Sequence, residues 1–477
     1  KYAKEHPEYF ALIQGVRNSS ANHLCISNPA VQDLLYAEML KHIDAGFAWV
    51  QLAQTDGYQP CQCDKCRAIH EDIGERVWIV HNGLAQRLAK DRPGAKVVIL
   101  SYGPTREPPR TIERFGPNVV IELCNYTHAH FEKWRGKADV FLVYIYDWGS
   151  YHTLGFAPKT TPRMIAEQVR FFREQGVRGI YCCGIGECWG LEGPVYYVFH
   201  RCLGDPEANW ERELDEFCRA AFGKAYVPMR KLYDAMFAQL DLMGSFGPWP
   251  PVMPGFSVAG MPGKPETQYA YFFPPDLLKT METNLELAKA LEPEGAVRKR
   301  LDFVERAFLY VKDIASIFHF YRAYQLEPNW QTFEPLAKAV KQREARVRQL
   351  FKDGGAEVRF DGFPPMFQYH DIKFVLDGGR SSGTLSAPVN WDVDLLKEKG
   401  VLPGVGRKKI RAARAAGAIV LDGRLDEPAW QQAEAGEFVE IGLGRLNEPT
   451  RVRLAYDDQR LYIGFECAES LADRLAG

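Results

Sequence analysis

The sequence predicts an α/β fold based on a (β/α)8 TIM-like barrel, followed by a C-terminal helical domain and the start of a β-sandwich. Over roughly the first 220 residues, near-continuous apolar runs alternate with helix-like segments. This pattern is expected for parallel strands that are buried on both faces. No glycine-rich dinucleotide loop follows any of the runs, which disfavours an open nucleotide-binding sheet.

Six apolar runs predict strands, and the segments between most of them predict helices. The strands are expected at residues 23–27, 48–55, 96–102, 118–124, 139–146 and 179–184. The helices are expected at 30–44, 65–90 and 162–175, with a short one at 129–136. Because a closed barrel needs eight strands and Lys1 is not an initiator methionine, we expect the first barrel strands to be missing from this chain.

Four regions follow from these patterns. Amphipathic segments at 211–222, 226–242, 275–291, 295–324 and 332–352 predict long helices. Alternating apolar residues on either side of Asp457 and Asp458 predict a β-hairpin. We therefore expect a partial catalytic barrel (1–206), a helical domain (207–355), a linker (356–412) and a truncated carbohydrate-binding β-sandwich (413–477).

Composition limits the kinds of partner. The chain has 477 residues and a net charge of −2, which gives no electrostatic basis for binding nucleic acid or an anionic membrane. No run of about 18 apolar residues is present, so no membrane span is predicted. The 10 Trp and 22 Tyr suit either the stacking of sugar rings or dense core packing. No pattern predicts an oligomeric state.

Polar and aromatic residues follow the predicted strands, where barrel enzymes place their catalytic groups. Asp56 lies after the second strand, directly before Gly57. Glycoside hydrolysis needs two carboxyl groups together with residues that hold the sugar ring. We predict three catalytic residues, Asp56, Asp147 and Glu187. We predict six substrate-binding residues, Asn28, Tyr102, Asn125, Tyr146, Trp148 and Trp189.

Each carboxylate also has a structural interpretation. Asp56 could form a turn with Gly57, and Asp147 could bind amides of its own loop. Glu187 could belong to a structural ion pair. Glu122 falls inside its strand, which favours a buried structural carboxylate.

Cys61, Cys63 and Cys66 form a C-x-C-x-x-C cluster. Three thiolates could bind a structural zinc ion, with His70 or a distant cysteine as the fourth ligand. A disulfide with one free thiol and three reduced thiols are the alternatives. Cys25 is interpreted as a buried thiol. Catalysis is expected to require no cofactor.

Three segments resemble a known family: residues 7–12 (PEYFAL), residues 23–29 (HLCISNP), and Thr55-Asp56-Gly57 ahead of the cysteine cluster. They resemble the bacterial family called domain of unknown function 4838, over roughly residues 1–350. That family is similar to the family 67 α-glucuronidases and often occurs in large secreted proteins that degrade polysaccharides. The resemblance implies a secreted or periplasmic glycosidase acting on a polysaccharide or oligosaccharide, uronic-acid-containing glycans included.

The resemblance also implies an inverting mechanism. Asp56 lies at the position of the family 67 acid, and Asp147 lies at one base position, each with Asp in place of Glu. The other base would fall near residues 125–128, where this sequence has no carboxylate.

Residues 421–423, 425–430 and 461–463 resemble the start of a family 9 carbohydrate-binding module. A glycoside hydrolase is therefore the leading prediction, and a non-catalytic glycan-binding protein on a barrel scaffold is the alternative. A third, weaker hypothesis is a metal-dependent hydrolase built on the cysteine cluster. Two carboxylates facing one cleft would favour the first.

Overall fold

The structure is a computed structural model. It describes residues 2–17, 19, 22–146, 160–183, 189–244, 271–353, 376, 388–400, 402–403, 410–437, 439–440, 444–445 and 450–468. Internal contacts divide the chain into two compact units, Lys1–Val401 and Leu402–Gly477.

A five-stranded parallel sheet organises the first unit. A short antiparallel hairpin, β1 (Leu12–Ile13) and β2 (Val16–Arg17), precedes it. The sheet strands are β3 (Trp49–Leu52), β4 (Lys96–Ser101), β5 (Val119–Leu123), β6 (Phe141–Tyr146) and β7 (Val177–Cys183). They pair in the order β3-β4-β5-β6-β7, so each strand lies beside its neighbours in the sequence.

Helices precede the first strand of the sheet, connect most of the strands and follow the last one. They are α1 (Pro29–Asp44), α2 (Asp64–Ile69), α3 (Ile73–Asp91), α4 (His128–Trp134), α5 (Pro162–Glu174) and α6 (Trp189–Gly204). A 3-10 turn, Gly103–Thr105, follows β4. Parallel crossovers are almost always right-handed, so strands in strict sequence order place their connecting helices on one face of the sheet.

Successive side chains of each strand point to opposite faces of the sheet, and the strand register shows which residues share a face. Val50, Val97, Val119 and their register partners point to a face that is buried. The opposite face carries Trp49 and Gln51 of β3, Glu122 of β5, and Tyr144 and Tyr181 of β6 and β7. The ring of Tyr144 stacks on that of Tyr181, which is 56% exposed.

The predicted fold class is confirmed at the level of a mixed α/β fold with a parallel sheet. Consecutive strand order is that of a (β/α) barrel and differs from a doubly wound sheet. Among the described residues, β3 and β7 are edge strands and no closed barrel is formed. The eight-stranded barrel therefore stays a prediction.

Five of the six predicted strands are confirmed, and the first is wrong. Residues 23–27 contribute only an isolated bridge between Leu24 and Phe10. The segment hydrogen-bonds to residues 9–11 and not to the sheet: the Ala11 amide donates to the His23 carbonyl (2.8 Å) and the Cys25 amide donates to the Tyr9 carbonyl (2.9 Å). Asn28 then caps α1 by accepting the Ala30 amide at its Oδ1 (3.0 Å).

The predicted helix at 65–90 is divided into α2 and α3. His70 is extended, and the Oδ1 of Asp72 accepts hydrogen bonds from the amides of Gly74 (2.8 Å) and Glu75 (3.1 Å). This N-cap begins a new helix. Helix α6 was not among the predicted helices.

The predicted long helices are confirmed. They are α7 (Trp210–Phe222), α8 (Tyr226–Gly244), α9 (Pro275–Leu291), α10 (Gly295–Leu326) and α11 (Trp330–Asp353). Gly190 of α6 allows close contact with α10, because a Cβ there would lie 2.6 Å from the Phe303 carbonyl oxygen. These helices belong to the same compact unit as the sheet. Within the predicted linker, residues 393–398 form the short helix α12 (Val393–Glu398). None of the described helices combines the length and apolarity needed to cross a bilayer.

The second unit contains the predicted hairpin. Strands β12 (Thr450–Tyr456) and β13 (Leu461–Cys467) pair with Leu454 opposite Ile463. The shorter elements of this unit are β8 (Ala413–Arg414), α13 (Pro428–Gln432), β9 (Gly436–Glu437), β10 (Val439–Glu440) and β11 (Gly444–Arg445). Trp430 and Tyr462 form its small core with Ala429 and Ala455. The hairpin is confirmed, and its assignment to a family 9 carbohydrate-binding module stays a prediction.

Candidate functional site

The candidate site lies where β3 and β4 end. Asp56 and Gly57 occupy the loop after β3, and Tyr102 and Gly103 follow β4. Both strands run in the same direction, so these loops meet at the carboxyl edge of the sheet. Gly57 has φ +62° and Gly103 has φ +55°, which are conformations that favour glycine. The two glycines let the chain turn sharply at the site.

Asp56 and Tyr102 are joined directly. The Tyr102 hydroxyl donates a 3.1 Å hydrogen bond to Oδ1 of Asp56. The same oxygen accepts the Gly57 amide at 2.9 Å, so the predicted Asp-Gly turn also forms. The hydrogen bond to Asp56, together with partial burial, raises the pKa of Tyr102. The hydroxyl therefore stays protonated and keeps donating to Asp56.

A second pair of contacts fixes the two loops. Gln54 donates from Nε2 to Oγ1 of Thr105 (2.9 Å) and to the Tyr102 carbonyl. Thr105 in turn donates to the Leu100 carbonyl at 2.7 Å. The loop after β3 is therefore anchored to the end of β4 on both sides of Tyr102.

A cleft of about 540 Å³ opens beside this pair. Its lining residues come from the loop after β3, the start of α3 and the turn after β4: Gly57, Tyr58, Pro60, Asp72, Ile73, Gly74, Tyr102, Gly103 and Pro104. Hydrogen bonds from the Glu75 and Gly74 amides outweigh burial and, with Arg110 nearby, lower the pKa of Asp72. Asp72 is thus an ionised helix cap, whereas the two tyrosine rings offer surfaces for a ligand.

Glu122 is a second carboxylate near the carboxyl edge of the sheet. It lies on the same sheet face as Gln51, whose Nε2 donates to Glu122 Oε2 at 2.6 Å. Burial raises the pKa of Glu122, although the hydrogen bond from Gln51 acts in the opposite direction. A carboxyl group that keeps its proton is what a general acid needs. The position of Glu122 inside the apolar run of β5 is the sequence signal that predicts its burial.

The other predicted residues do not all reach the cleft. Asn28 caps α1 and also donates to the Glu8 carbonyl at 3.4 Å, so its amide is used structurally. Asn125 follows β5 and accepts the Thr127 amide at 3.4 Å. Neither lines the cleft.

The remaining predicted site residues fall at the edge of the described chain or beyond it. Tyr146 ends β6 and Trp189 begins α6, and only their backbones are described. Asp147, Trp148 and Glu187 lie outside the described residues.

The predicted cysteine cluster gains a fourth member. The Sγ atoms of Cys61, Cys63, Cys66 and Cys25 all lie within 4.8 Å of one another. Cys25 is buried, as predicted, and is the distant cysteine that completes the group. His70 does not supply the fourth position, because its Nδ1 accepts the Asp72 amide at 3.0 Å.

Solved structures show only a distant likeness to this chain. A variant of the O-GlcNAc hydrolase of Thermobaculum terrenum is 12% identical, with TM-score 0.38, covering 80% of this chain and 79% of its own. A GH138 enzyme targeting pectin rhamnogalacturonan II is 9% identical, with TM-score 0.36 and coverages of 71% and 54%.

A third structure is CpGH89 from Clostridium perfringens with its substrate GlcNAc-α-1,4-galactose. It is 8% identical, with TM-score 0.45 and coverages of 76% and 42%. This chain thus spans about half the length of the second structure and less than half of the third. TM-scores of this size do not establish a shared fold.

Comparison of the sequence with protein families gives a more specific result than comparison with solved structures. No curated protein matches the sequence. Residues 1–234, which include β3 to β7 and the cleft, match the family model described as Domain of unknown function (DUF4838).

Proposed function

We propose that this protein is a glycoside hydrolase whose active site includes the Asp56–Tyr102 pair. The observation that carries the proposal is the position of this pair, at the carboxyl ends of two neighbouring parallel strands and beside a cleft with two tyrosines. Enzymes with barrel sheets place their chemistry at this edge. Tyrosine rings suit the apolar faces of sugars while their hydroxyls bind polar groups.

Hydrolysis of a glycosidic bond needs two carboxyl groups on opposite sides of the bond. Asp56 would protonate the leaving oxygen, and Asp147 would activate water, with Glu187 as the reserve candidate. Asp56 is exposed. In the proposed complex, the bound sugar would cover it and exclude water from the leaving oxygen. Glu122 is already buried, and its burial raises its pKa.

The proposed substrate is a polysaccharide or oligosaccharide. Tyr58 and Tyr102 would contact the sugar in the cleft. Tyr146, Trp148, Trp189 and Asn125 remain predicted contacts. Uronic-acid-containing glycans belong among the candidates because of the family resemblance, and a secreted or periplasmic location is proposed on the same basis.

One observation favours the glycan-binding alternative. The carboxylate that lines the cleft among the described residues is Asp72, which is engaged as a helix cap. A protein that only binds glycans would need the tyrosines of the cleft but no free carboxyl pair.

The test compares the protein at its natural length with its Asp56→Asn variant on a panel of plant, algal and host glycans. The asparagine keeps the size of the side chain and removes the proton donor. We expect release of sugars to fall by about 100-fold or more. Asp33→Asn, an exposed substitution on α1, is the control and should leave release unchanged.

Equal release by wild type and Asp56→Asn would retain the hydrolase and reject Asp56 as the acid. No release across the panel, combined with retained binding of a glycan, would reject the hydrolase in favour of the binding protein.

A further inference from the structure

Four thiols meet between the N-terminal segment and the loop after β3. The Sγ of Cys25 lies 3.7 Å from that of Cys63 and 3.8 Å from that of Cys66, and Cys61 completes the group. In a tetrahedral zinc–thiolate centre with Zn–S bonds of about 2.3 Å, neighbouring sulfurs are about 3.8 Å apart. The cluster therefore has the dimensions of a four-thiolate metal site.

We propose that Cys25, Cys61, Cys63 and Cys66 bind one zinc ion in a closed, structural site. Four sulfur ligands at tetrahedral spacing select zinc or iron over magnesium or calcium. Three of the thiols are buried and Cys63 is half-buried. Because four protein ligands fill the coordination shell, no position is left for water or substrate. The site would hold structure and take no part in hydrolysis.

The backbone supports the four sulfurs as ligands. The Leu12 amide donates to the Cys61 sulfur at 3.3 Å, and the Cys66 amide donates to the Cys63 sulfur at 3.5 Å. Hydrogen bonds of this kind orient metal ligands and stabilise their thiolate form. The two amide donors belong to β1 and to the first turn of α2. The backbone of these two elements therefore holds the Cys61 and Cys63 sulfurs in place.

Charge also fits the proposal. Four thiolates around Zn²⁺ leave a net charge of about −2. The Arg17 guanidinium lies near Cys25, Cys61 and Cys63. Arg17 is held in this position by a hydrogen bond from its Nη1 to the Phe10 carbonyl (2.6 Å). A fixed cation beside the cluster would offset part of the charge of the zinc centre.

The competing chemistry is disulfide formation. None of the four cysteines is disulfide-bonded in the structure, and each has more than one neighbouring sulfur within 4.8 Å. Two disulfides would join the four thiols in pairs, whereas a tetrahedral metal holds all of them equivalently. The second arrangement agrees with the near-equal Cys25–Cys63 and Cys25–Cys66 distances.

A zinc ion bound to these cysteines would also fix the position of the loop that carries Asp56. Cys61 follows Pro60, which lines the cleft, and Cys63 caps α2. Zinc would therefore tie the loop that carries Asp56 to the N-terminal segment at Cys25. The cysteines are structural ligands in this proposal, and they contact no substrate.

The test measures metal content, which does not depend on any enzymatic activity. The protein at its natural length is purified from zinc-supplemented cells under reducing conditions and measured by elemental mass spectrometry. We expect one zinc per chain. Replacing zinc with cobalt(II) should produce the sulfur-to-cobalt charge-transfer absorption of a four-thiolate site.

Variants locate the ligands. Cys25→Ser should bind zinc at least 100-fold more weakly, because even loss of an outer-shell contact weakens metal sites by about 10- to 100-fold. Cys467→Ser, at an exposed cysteine in the second unit, is the matched control and should keep one zinc. Circular dichroism of Cys25→Ser separates loss of a ligand from loss of the fold, and the cobalt spectrum of the wild type tests the site without any variant.

Iron in place of zinc would overturn the proposal, as would a wild-type protein that remains metal-free in excess zinc. Disulfides within the cluster, found by mass spectrometry of the unreduced protein, would also overturn it. An unchanged zinc content in Cys25→Ser would reject Cys25 as a ligand and with it the four-thiolate site.

Discussion

The Tyr102 hydroxyl donates a hydrogen bond to the Asp56 carboxylate and thereby joins the loops that follow two adjacent strands. We expect Tyr102→Phe to lower sugar release roughly tenfold, the effect of losing one hydrogen bond to a charged group. Stability should change by less than about 0.5 kcal/mol, because Tyr102 is 38% exposed. Kinetics and thermal unfolding check both effects.

Tyr456→Phe is the control for that substitution, since Tyr456 is similarly exposed at 40% and lies in the second unit. Unchanged kinetics in Tyr102→Phe would show that the hydrogen bond to Asp56 has no part in the reaction.

Glu122→Gln should stabilise the protein at neutral pH. Burial raises the pKa of Glu122, so the unfolded chain ionises first as pH rises and stability falls between the unfolded and folded pKa values. Glutamine removes this loss and still offers an oxygen to Gln51. We expect a gain on the order of 1 kcal/mol at pH 7 and little gain well below the ordinary glutamate pKa.

Urea unfolding at several pH values tests this expectation, with the exposed Glu132→Gln as control. If Glu122 donates a proton in the reaction, sugar release is lost while stability increases. A stabilised variant with full activity would assign Glu122 a structural role. Destabilisation at pH 7 would contradict the argument from burial.

Gly74→Ala should destabilise the site. A Cβ at Gly74 would lie 2.2 Å from the Pro104 carbonyl oxygen, so α3 or the turn after β4 would have to shift. We expect a cost of about 1–3 kcal/mol together with weaker ligand binding.

The matched substitution is Gly83→Ala in the same helix, where a Cβ would meet nothing within 4 Å. It should stabilise the helix by about 0.5–1 kcal/mol, since alanine is the better helix former. Equal unfolding free energies for the two variants would show that the turn carrying Pro104 can move away from the added Cβ at little cost.

Glu213 should contribute stability that depends on pH. Burial raises its pKa, but hydrogen bonds and charges from Arg201 and Arg212 outweigh this and lower it overall. A lowered folded pKa gives stability that is complete above the unfolded glutamate pKa and is lost as pH falls through the folded pKa. Glu213→Gln should cost about 1 kcal/mol at pH 7, because both arginines are exposed and screened.

Urea unfolding curves between pH 7 and pH 3 check this expectation. The difference in unfolding free energy between wild type and Glu213→Gln should become smaller as the pH falls. Glu211→Gln, an exposed glutamate in the first turn of the same helix, serves for comparison. If the difference in unfolding free energy instead becomes larger as the pH falls, the pKa of Glu213 is not lowered in the folded protein.

The sequence predicts the sheet better than the site. Parallel strands such as β4 and β5 are continuous apolar runs, which local inspection detects. The break between α2 and α3 also has a local signal, since Asp72 and Glu75 have the spacing of a helix cap. Asn28 followed by Pro29 likewise marks the start of α1, in agreement with the helix predicted at 30–44.

The contacts that define the site are not local. Tyr102 is 46 residues from Asp56, and Cys25 is 38 residues from Cys63. Nothing in the neighbourhood of Cys25 distinguishes it from a buried thiol, and only the path of the chain brings it to the other three cysteines. The burial of Glu122 follows from its place inside an apolar run, but its hydrogen bond with Gln51, 71 residues away, does not.

The order of the strands has a consequence for biosynthesis. Among the described residues, each strand of the sheet pairs with the strands just before and just after it in the sequence, so the sheet can form progressively from its N-terminal strand. All four thiols are also synthesised before β4 begins at Lys96. In the proposed zinc-bound form, the metal would therefore organise the start of the chain before the later strands of the sheet are needed, and zinc supply while the protein folds would affect the yield of folded protein.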